Sequence, residues 1–278
     1  MDTAITFTLD LEDPRPDNRY SPRHIEVMDH LLDRLAASGI RGTIFVVGGV
    51  ALEAPVLIRK IASLGHEIGF HSAHHVPLTL ENPDRFRSEC DAGKRRLEDI
   101  CGQAVIGFRA PSFSLTAETT WALSILADAG FIYSSSVLPA RNPLYGFPGA
   151  PRQAFRWQNN LLELPVPVTQ LGPFTVPYLG GIYLRYLPLT LVRNLARRNA
   201  GGQVYWTYCH PYDFDPAQPF YRMQGTSLIV SLLLWFNRSR TLKKLAALLS
   251  STSATSRPFA EDIQAGRFDD VPLFTTGQ

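Results

Sequence analysis

At 278 residues, with 45% hydrophobic and 19% charged positions, the chain has the composition of a globular protein with one large core or two modest ones. A net charge of +2 argues against a dedicated nucleic-acid binder, which would carry a basic face or stripe. Three cysteines, Cys90, Cys101 and Cys209, are odd in number and form no CxxC pair, which speaks against a disulfide framework and for a reducing compartment.

The N-terminus, MDTAITFTLDLED, has no basic segment followed by an apolar one, so no secretory signal is expected and a cytoplasmic location is. Its alternating ITFTLDL predicts a first strand that runs into three acids, Asp10, Glu12 and Asp13. Asp13 stands before Pro14 and would serve as a turn cap. Asp10 and Glu12 share one side of the strand, where capping is a poor explanation. Residues 24–38 place Met28, Leu31, Leu32 and Leu35 at helix-face spacing. TIFVV predicts a second strand. VVGGV, 46–50, has adjacent glycines rather than GxGxxG, so a strand-to-helix turn is expected there and no nucleotide or other organic cofactor. APVLIRKIASLG predicts a helix stopped at Gly65, and EIGF a third strand.

Directly after EIGF come His71, His74 and His75, three of the seven histidines in the chain. His71 and His75 stand four apart, a step that predicts one side of a helical turn and shared reach to one cation, with His74 pointing elsewhere. Two histidines with one strand-end carboxylate make a catalytic metal set, leaving positions for water and substrate.

DRFRSECDAGKRRLEDICG predicts a helix, AVIGF a strand leading into FRAPSF, and TAETTWALSILADAG a helix stopped at Gly130. Strands alternating with helices, without a nucleotide fingerprint, predict an α/β barrel with its site at the strand ends. Arg109 in FRAPSF is placed to pair with a strand-end carboxylate and hold it ionised. Prolines and glycines between 139 and 190 predict long loops around short strands such as LLELPV. QVYWTYC, 203–209, predicts a late strand that brings His210 to the same rim; taken alone, a histidine before proline is a turn or core residue. TSLIVSLLLWF, 226–236, is the most apolar run. At 11 residues it is too short for a bilayer, which takes about 20, and a buried core helix followed by a solvated basic helix is expected. SSTSATSRP, 250–258, reads as a mobile linker.

In order, LDLED, HEIGFHSAHH, GFRAPSF, AGFIYSSSVLP, LLELPV, YLGGIY and YCHPYDFDP resemble the NodB-homology polysaccharide deacetylase family, carbohydrate esterase family four. The likeness runs from residue 5 to about 216 and is closest to the branch of exopolysaccharide-biosynthesis and peptidoglycan deacetylases; HEIGFHSAHH and FRAPSF together are its specific part. The resemblance implies a distorted (β/α) barrel over 1–216, followed by a helical extension and tail over 217–278. It also implies a divalent metal, usually zinc, and hydrolysis of the N-acetyl group of an amino sugar in a polysaccharide or lipid-linked precursor.

By motif position, the resemblance makes Asp10 the general base, Arg109 its tether and His210 the general acid. The metal falls to Glu12, His71 and His75, with Asp13, Ser72 and Pro111 as further candidates beside it. Two positions depart from the family pattern. The metal carboxylate is usually Asp, whereas here it is Glu12 or the adjacent Asp13, with Glu12 favoured. An acid that orients the catalytic groups is replaced by Ser134, with Asp213 or Asp215 as available substitutes. Hydrolysis of another C–N bond, as in a deformylase or cyclic-ureide amidohydrolase, stays open, as does a catalytically weak glycan-binding homologue. From residue 181 onward there are 11 Lys and Arg against 6 Asp and Glu, with apolar runs between the cations. This half could rest on an anionic membrane surface, which would place the protein at the inner face of the membrane.

Overall fold

The computed structural model describes residues 5–275 apart from 18, 143, 199–204, 224–225 and 253–254. Strand β1 (Ile5–Leu11) is buried along its whole length, as a strand covered on both faces must be. It pairs in parallel with β2 (Gly42–Val46) on one side and β10 (Tyr205–Trp206) on the other. From β2 the sheet continues in parallel through β3 (Glu67–Phe70), β4 (Gly107–Phe108), β5 (Tyr133–Ser134) and β7 (Leu162–Glu163). There β6 (Phe155–Trp157) joins antiparallel, and β11 (Leu273–Phe274) adds to β6. These strands curl into a distorted half-barrel with β10 and β11 at its ends. A separate hairpin is made by β8 (Val168–Leu171) and β9 (Phe174–Pro177).

The crossovers follow the expected periodicity. Helix α1 (Arg23–Ala37) buries Met28, Leu31, Leu32 and Leu35, the stripe read from the sequence. The turn at VVGGV opens α2 (Gly48–Glu53), and α3 (Pro55–Ser63) gives way to Gly65 at φ +79°. Asn82 caps α4 (Pro83–Cys101) by accepting from the Asp84 and Arg85 N–H groups. Helix α5 (Ala122–Asp128) completes the set. AVIGF yields only the two residues of β4. Of QVYWTYC, positions 203–204 lie outside the described residues, and 207–209 continue along β1 through Thr207 N–H to Thr6 O and Asp10 N–H to Cys209 O.

The C-terminal part departs from expectation in three places. Helix α8 (Leu228–Trp235) is not a core helix: Ser231 is its buried residue, while Leu228, Ile229, Val230, Leu232, Leu233 and Trp235 are exposed. The following α9 (Thr241–Leu249), expected to be solvated, buries Leu245, Leu248 and Leu249 instead. Periodicity explains the exchange. The leucines of α9 recur on one face and leave Lys243 outside, whereas α8 is apolar all round and has no single face to bury. Lys244 Nζ donates to the carbonyls of Leu184, Arg185 and Leu187 and ties α9 to the end of α6 (Gly181–Tyr186), which α7 (Leu189–Arg198) follows.

The third departure is SSTSATSRP. Residues 253–254 lie outside the described residues, but Ser256 Oγ accepts from Phe7 N–H and donates to Arg41 O, so this end of the stretch is built into the sheet rather than a linker. Beyond it, α10 (Phe259–Gln264) buries Phe259 beside Tyr133 and Trp206. The sheet thus draws its last strand from the segment after residue 216.

Candidate active site at the strand ends

The period-two alternation of β1 turns Asp10 and Glu12 to one side at its C-terminal end. His71 and His75 arrive in the loop after β3, not on a helical turn. Ser72 and His75 both adopt left-handed backbone, at φ +63° and +56°, and Ser72 Oγ accepts from His75 N–H at 2.9 Å, which closes the loop. This conformation is costly for residues other than glycine, and held strain of this kind gathers at functional sites. Ser72 therefore shapes the loop, while His74 points out to solvent near Glu89.

Ligand atoms of Glu12, His71 and His75 all lie within 4.8 Å of one another. The Arg109 carbonyl accepts from His71 Nδ1 at 2.8 Å, so the Nδ1 position carries the hydrogen and Nε2 presents a lone pair. Burial holds the His71 pKa down, to about 4, although Asp10 works the other way; the ring is neutral, as a ligand must be. His75 Nε2 touches Glu12 Oε2. Burial pushes the Glu12 carboxyl up, but the His75 and His210 imidazoles outweigh it and hold the group well below the usual carboxylate range. Burial lowers His75 and Glu12 more than offsets that, raising it. A neutral, oriented imidazole, a second imidazole and an ionised carboxylate fit a divalent cation.

Arg109, fully buried, stands beside this set. Its Nη1 donates to Asp10 Oδ1 at 2.6 Å and to Thr8 Oγ1, and its other nitrogens reach Ser135. The guanidinium is flanked by the rings of Phe45 and Trp206, with centroids 4.0 and 4.4 Å away, so its plane is fixed. Asp10 Oδ2 is left facing His71 Nε2 at 3.9 Å. Pro111 starts the turn after Arg109 and is buried, with no polar side-chain atom to offer.

His210 closes the opposite side, with Nε2 4.0 Å from Glu12 Oε1. Its backbone N–H donates to Asp213 Oδ2 at 2.9 Å, and its Nδ1 lies 3.2 Å from the same oxygen. The ring stacks on Tyr212 at 4.7 Å. Burial lowers the His210 pKa, but Glu12 and Asp213 together raise it to about 9.

Asp213 is in turn faced by Arg185, whose Nε lies 3.4 Å from Oδ1. The Gly-Gly pair in YLGGIY makes room for this arrangement. A Cβ on Gly181 would sit 2.1 Å from Asp213 Oδ2, and one on Gly180 would strike the Tyr208 ring. Of the two acids weighed as substitutes at Ser134, Asp213 orients His210, whereas Asp215 pairs with Arg23. Ser134 itself bonds Ser136. The supporting roles of Arg185, Tyr212, Phe45 and Trp206 went unread in the sequence; only the three-residue step from His210 to Asp213 offered a signal.

Asp13 turns away from the site. It accepts from Arg15 and, with His24 and Glu53, forms a second cluster whose ligand atoms lie within 4.8 Å. Arg15 Nη2 bridges Asp13 and Glu53, so that cluster already holds a cation of its own. The carboxylate that stands beside His71 and His75 is thus Glu12, whereas Asp13 is an ion-pair partner of Arg15. A cleft of 480 Å³ lined by Gly49, Ala73, His74 and His75 opens between the two clusters.

Residues 17–133 match the family model described as polysaccharide deacetylase, a span that contains His71, His75 and Arg109 and starts after Asp10 and Glu12. Residues 135–258, with His210 and Asp213, match a domain of unknown function, DUF3473. A peptidoglycan-N-acetylmuramic acid deacetylase of Bacillus subtilis is 33% identical over 87 residues, 31% of this chain and 30% of that protein. The chain spans about a third of the length of the curated relatives it matches.

Among solved structures, one described as a polysaccharide deacetylase from Mycobacterium smegmatis superposes with a TM-score of 0.68 at 20% identity, covering 100% of this chain and 94% of that one. A CE4 family pseudoenzyme from Bacillus anthracis gives 0.52 at 15% identity, covering 94% of this chain and 65% of that one. These likenesses establish the fold. With the family model lying over the histidine loop and Arg109, residues 17–133 belong to the polysaccharide deacetylase family.

Proposed function

We propose that the protein is a metal-dependent hydrolase that removes the N-acetyl group from an amino sugar of a glycan. The observation that carries the reading is the placement of the Glu12, His71 and His75 set between an ion-paired carboxylate, Asp10, and a carboxylate-bound imidazole, His210. Amide hydrolysis needs a deprotonated water, stabilisation of the developing oxyanion, and a proton for a poor amine leaving group. A divalent cation held by Glu12, His71 and His75, with zinc the first choice for such donors, would polarise the acetyl carbonyl and acidify a neighbouring water.

The chain's own residues supply the proton transfers. Asp10 has Oδ1 engaged by Arg109, so its Oδ2 takes the proton from the attacking water. His210 is protonated at neutral pH, and its Nε2 hydrogen faces the site, because Nδ1 is turned to Asp213. It delivers that proton to the departing nitrogen, and the products are acetate and a free amino sugar. Deacetylases of peptidoglycan and of chitooligosaccharides are among the relatives, which supports N-acetylglucosamine or N-acetylmuramic acid polymers as first substrates to try.

The test is acetate release from chitooligosaccharides and peptidoglycan fragments by the purified chain loaded with zinc. Release that stops on chelation and returns with zinc is expected. A protein that holds one equivalent of zinc, binds these glycans and releases no acetate would instead be a glycan-binding homologue. The Ser134 departure and the existence of a pseudoenzyme of this fold motivate that second reading.

A further inference from the structure

The most apolar segment of the chain is also one of its most exposed. Along α8 and the residue after it, Leu228, Ile229, Val230, Leu232, Leu233, Trp235 and Phe236 are all exposed, Ile229 to 71%. Tyr186 joins them around an apolar hollow of 300 Å³. Contiguous exposed apolar surface of this kind marks a place that meets another apolar phase.

The helix is inverted: its serine points in. Ser231 Oγ accepts from Met223 N–H and shares a hydrogen bond with Thr226 Oγ1, while the large side chains point out. A protein groove engages one stripe of a helix, at i, i+3, i+4 and i+7. Here apolar side chains project at 228, 229, 230, 232, 233, 235 and 236, most of the way round the axis. That distribution suits immersion in an isotropic apolar medium.

Charge points the same way. Between Glu163 and Glu261 the chain has ten Lys and Arg against two acids, Asp213 and Asp215. Both acids are buried and face Arg185 and Arg23. Described charge left at the surface of this stretch is therefore cationic, with Arg222 just before α8 and Arg240 and Lys243 just after it.

We propose that α8 is a membrane-surface anchor. It lies among the lipids of an anionic bilayer, with Arg222, Arg240 and Lys243 against the headgroups. Helix α8 has eight residues, and no helix among the described residues is long and apolar enough to cross a membrane. The anchor is joined to the active-site rim. Arg185 donates from Nη1 to the carbonyls of Leu234 and Phe236 at the end of α8, and its Nε faces Asp213, the partner of His210. A bound lipid surface thus adjoins the side of the site that His210 closes, whether or not the chain hydrolyses amides.

Flotation of the full chain with phosphatidylcholine vesicles, with and without phosphatidylglycerol, tests the proposal. Binding to the anionic vesicles at low salt is expected, with Trp235 emission shifted to the blue and quenched by brominated lipid. The double variant Ile229→Glu, Leu233→Glu should lower the bound fraction roughly tenfold or more, with an unchanged circular dichroism spectrum and melting temperature. Arg240→Glu with Lys243→Glu should weaken binding to anionic vesicles alone. Failure of the unaltered protein to float overturns the proposal, as does flotation that survives the double variant. A concentration-dependent dimer abolished by that variant, without lipid binding, would also overturn it and assign the face to a second copy of the chain.

Discussion

Two histidine–carboxylate clusters lie side by side at the end of β1, and adjacent residues divide between them. Glu12 joins His71 and His75; Asp13 joins His24 and Glu53. Their donor types and spacings are alike, yet their surroundings set them apart. Around Glu12 the neighbours are imidazoles, one neutral and locked by the Arg109 carbonyl, and the Arg109 guanidinium is committed to Asp10. Around Asp13 a guanidinium lies directly between the carboxylates, and both acids are partly open to water. A cluster with a resident arginine has its charge met already, and a divalent ion entering it would be repelled. Donor geometry alone does not separate the two clusters; the resident guanidinium does.

Four variants test this contrast. Glu12→Gln should lower zinc affinity by at least roughly 100-fold and abolish hydrolysis, as measured by metal content after dialysis and acetate release. Retention of full zinc content would move the ligand role to another acid. Asp10→Asn should keep the zinc but reduce turnover roughly 1,000-fold, the weight of a general base; unchanged turnover would remove Asp10 from the chemistry.

Asp213→Asn should cost roughly 10–100-fold in turnover and change the pH profile. His210 must be protonated to act, so activity falls as pH rises through its pKa. Loss of the Asp213 charge and hydrogen bond lowers that pKa, which moves the alkaline limb down by about one unit. A limb that stays in place would deny His210 the acid role. The smallest effect belongs to the second cluster. Asp13→Asn should leave zinc content and turnover within about twofold and cost under roughly 1 kcal/mol, as for an exposed ion pair. Zinc loss in this variant would overturn the division between Glu12 and Asp13.

Much of the first half was legible because its signals are local. The stripe at Met28, Leu31, Leu32 and Leu35, the Gly65 and Gly130 stops and the strand EIGF came out within a residue or two of the elements found. The four-residue step between His71 and His75 does bring the two rings together, but not through the helical turn it suggested. Left-handed backbone at Ser72 and His75 brings the rings to 5.0 Å. Spacing records separation along the chain and not the sign of φ.

Periodicity, motif order and the side of β1 shared by Asp10 and Glu12 were properties of the sequence by itself, because each depends on a few neighbouring residues. Other features were decided by tertiary structure alone. Asp213 reaches His210, and Asp215 is drawn to Arg23, 192 positions away. Arg15 claims Asp13 and Glu53 together. Helix α8 lies outside although it is the most apolar run in the chain, and α9 lies inside although it carries two lysines. Total hydrophobicity states how much surface would gain from leaving water. Which surface leaves it depends on whether one face of the element fits the space its neighbours enclose.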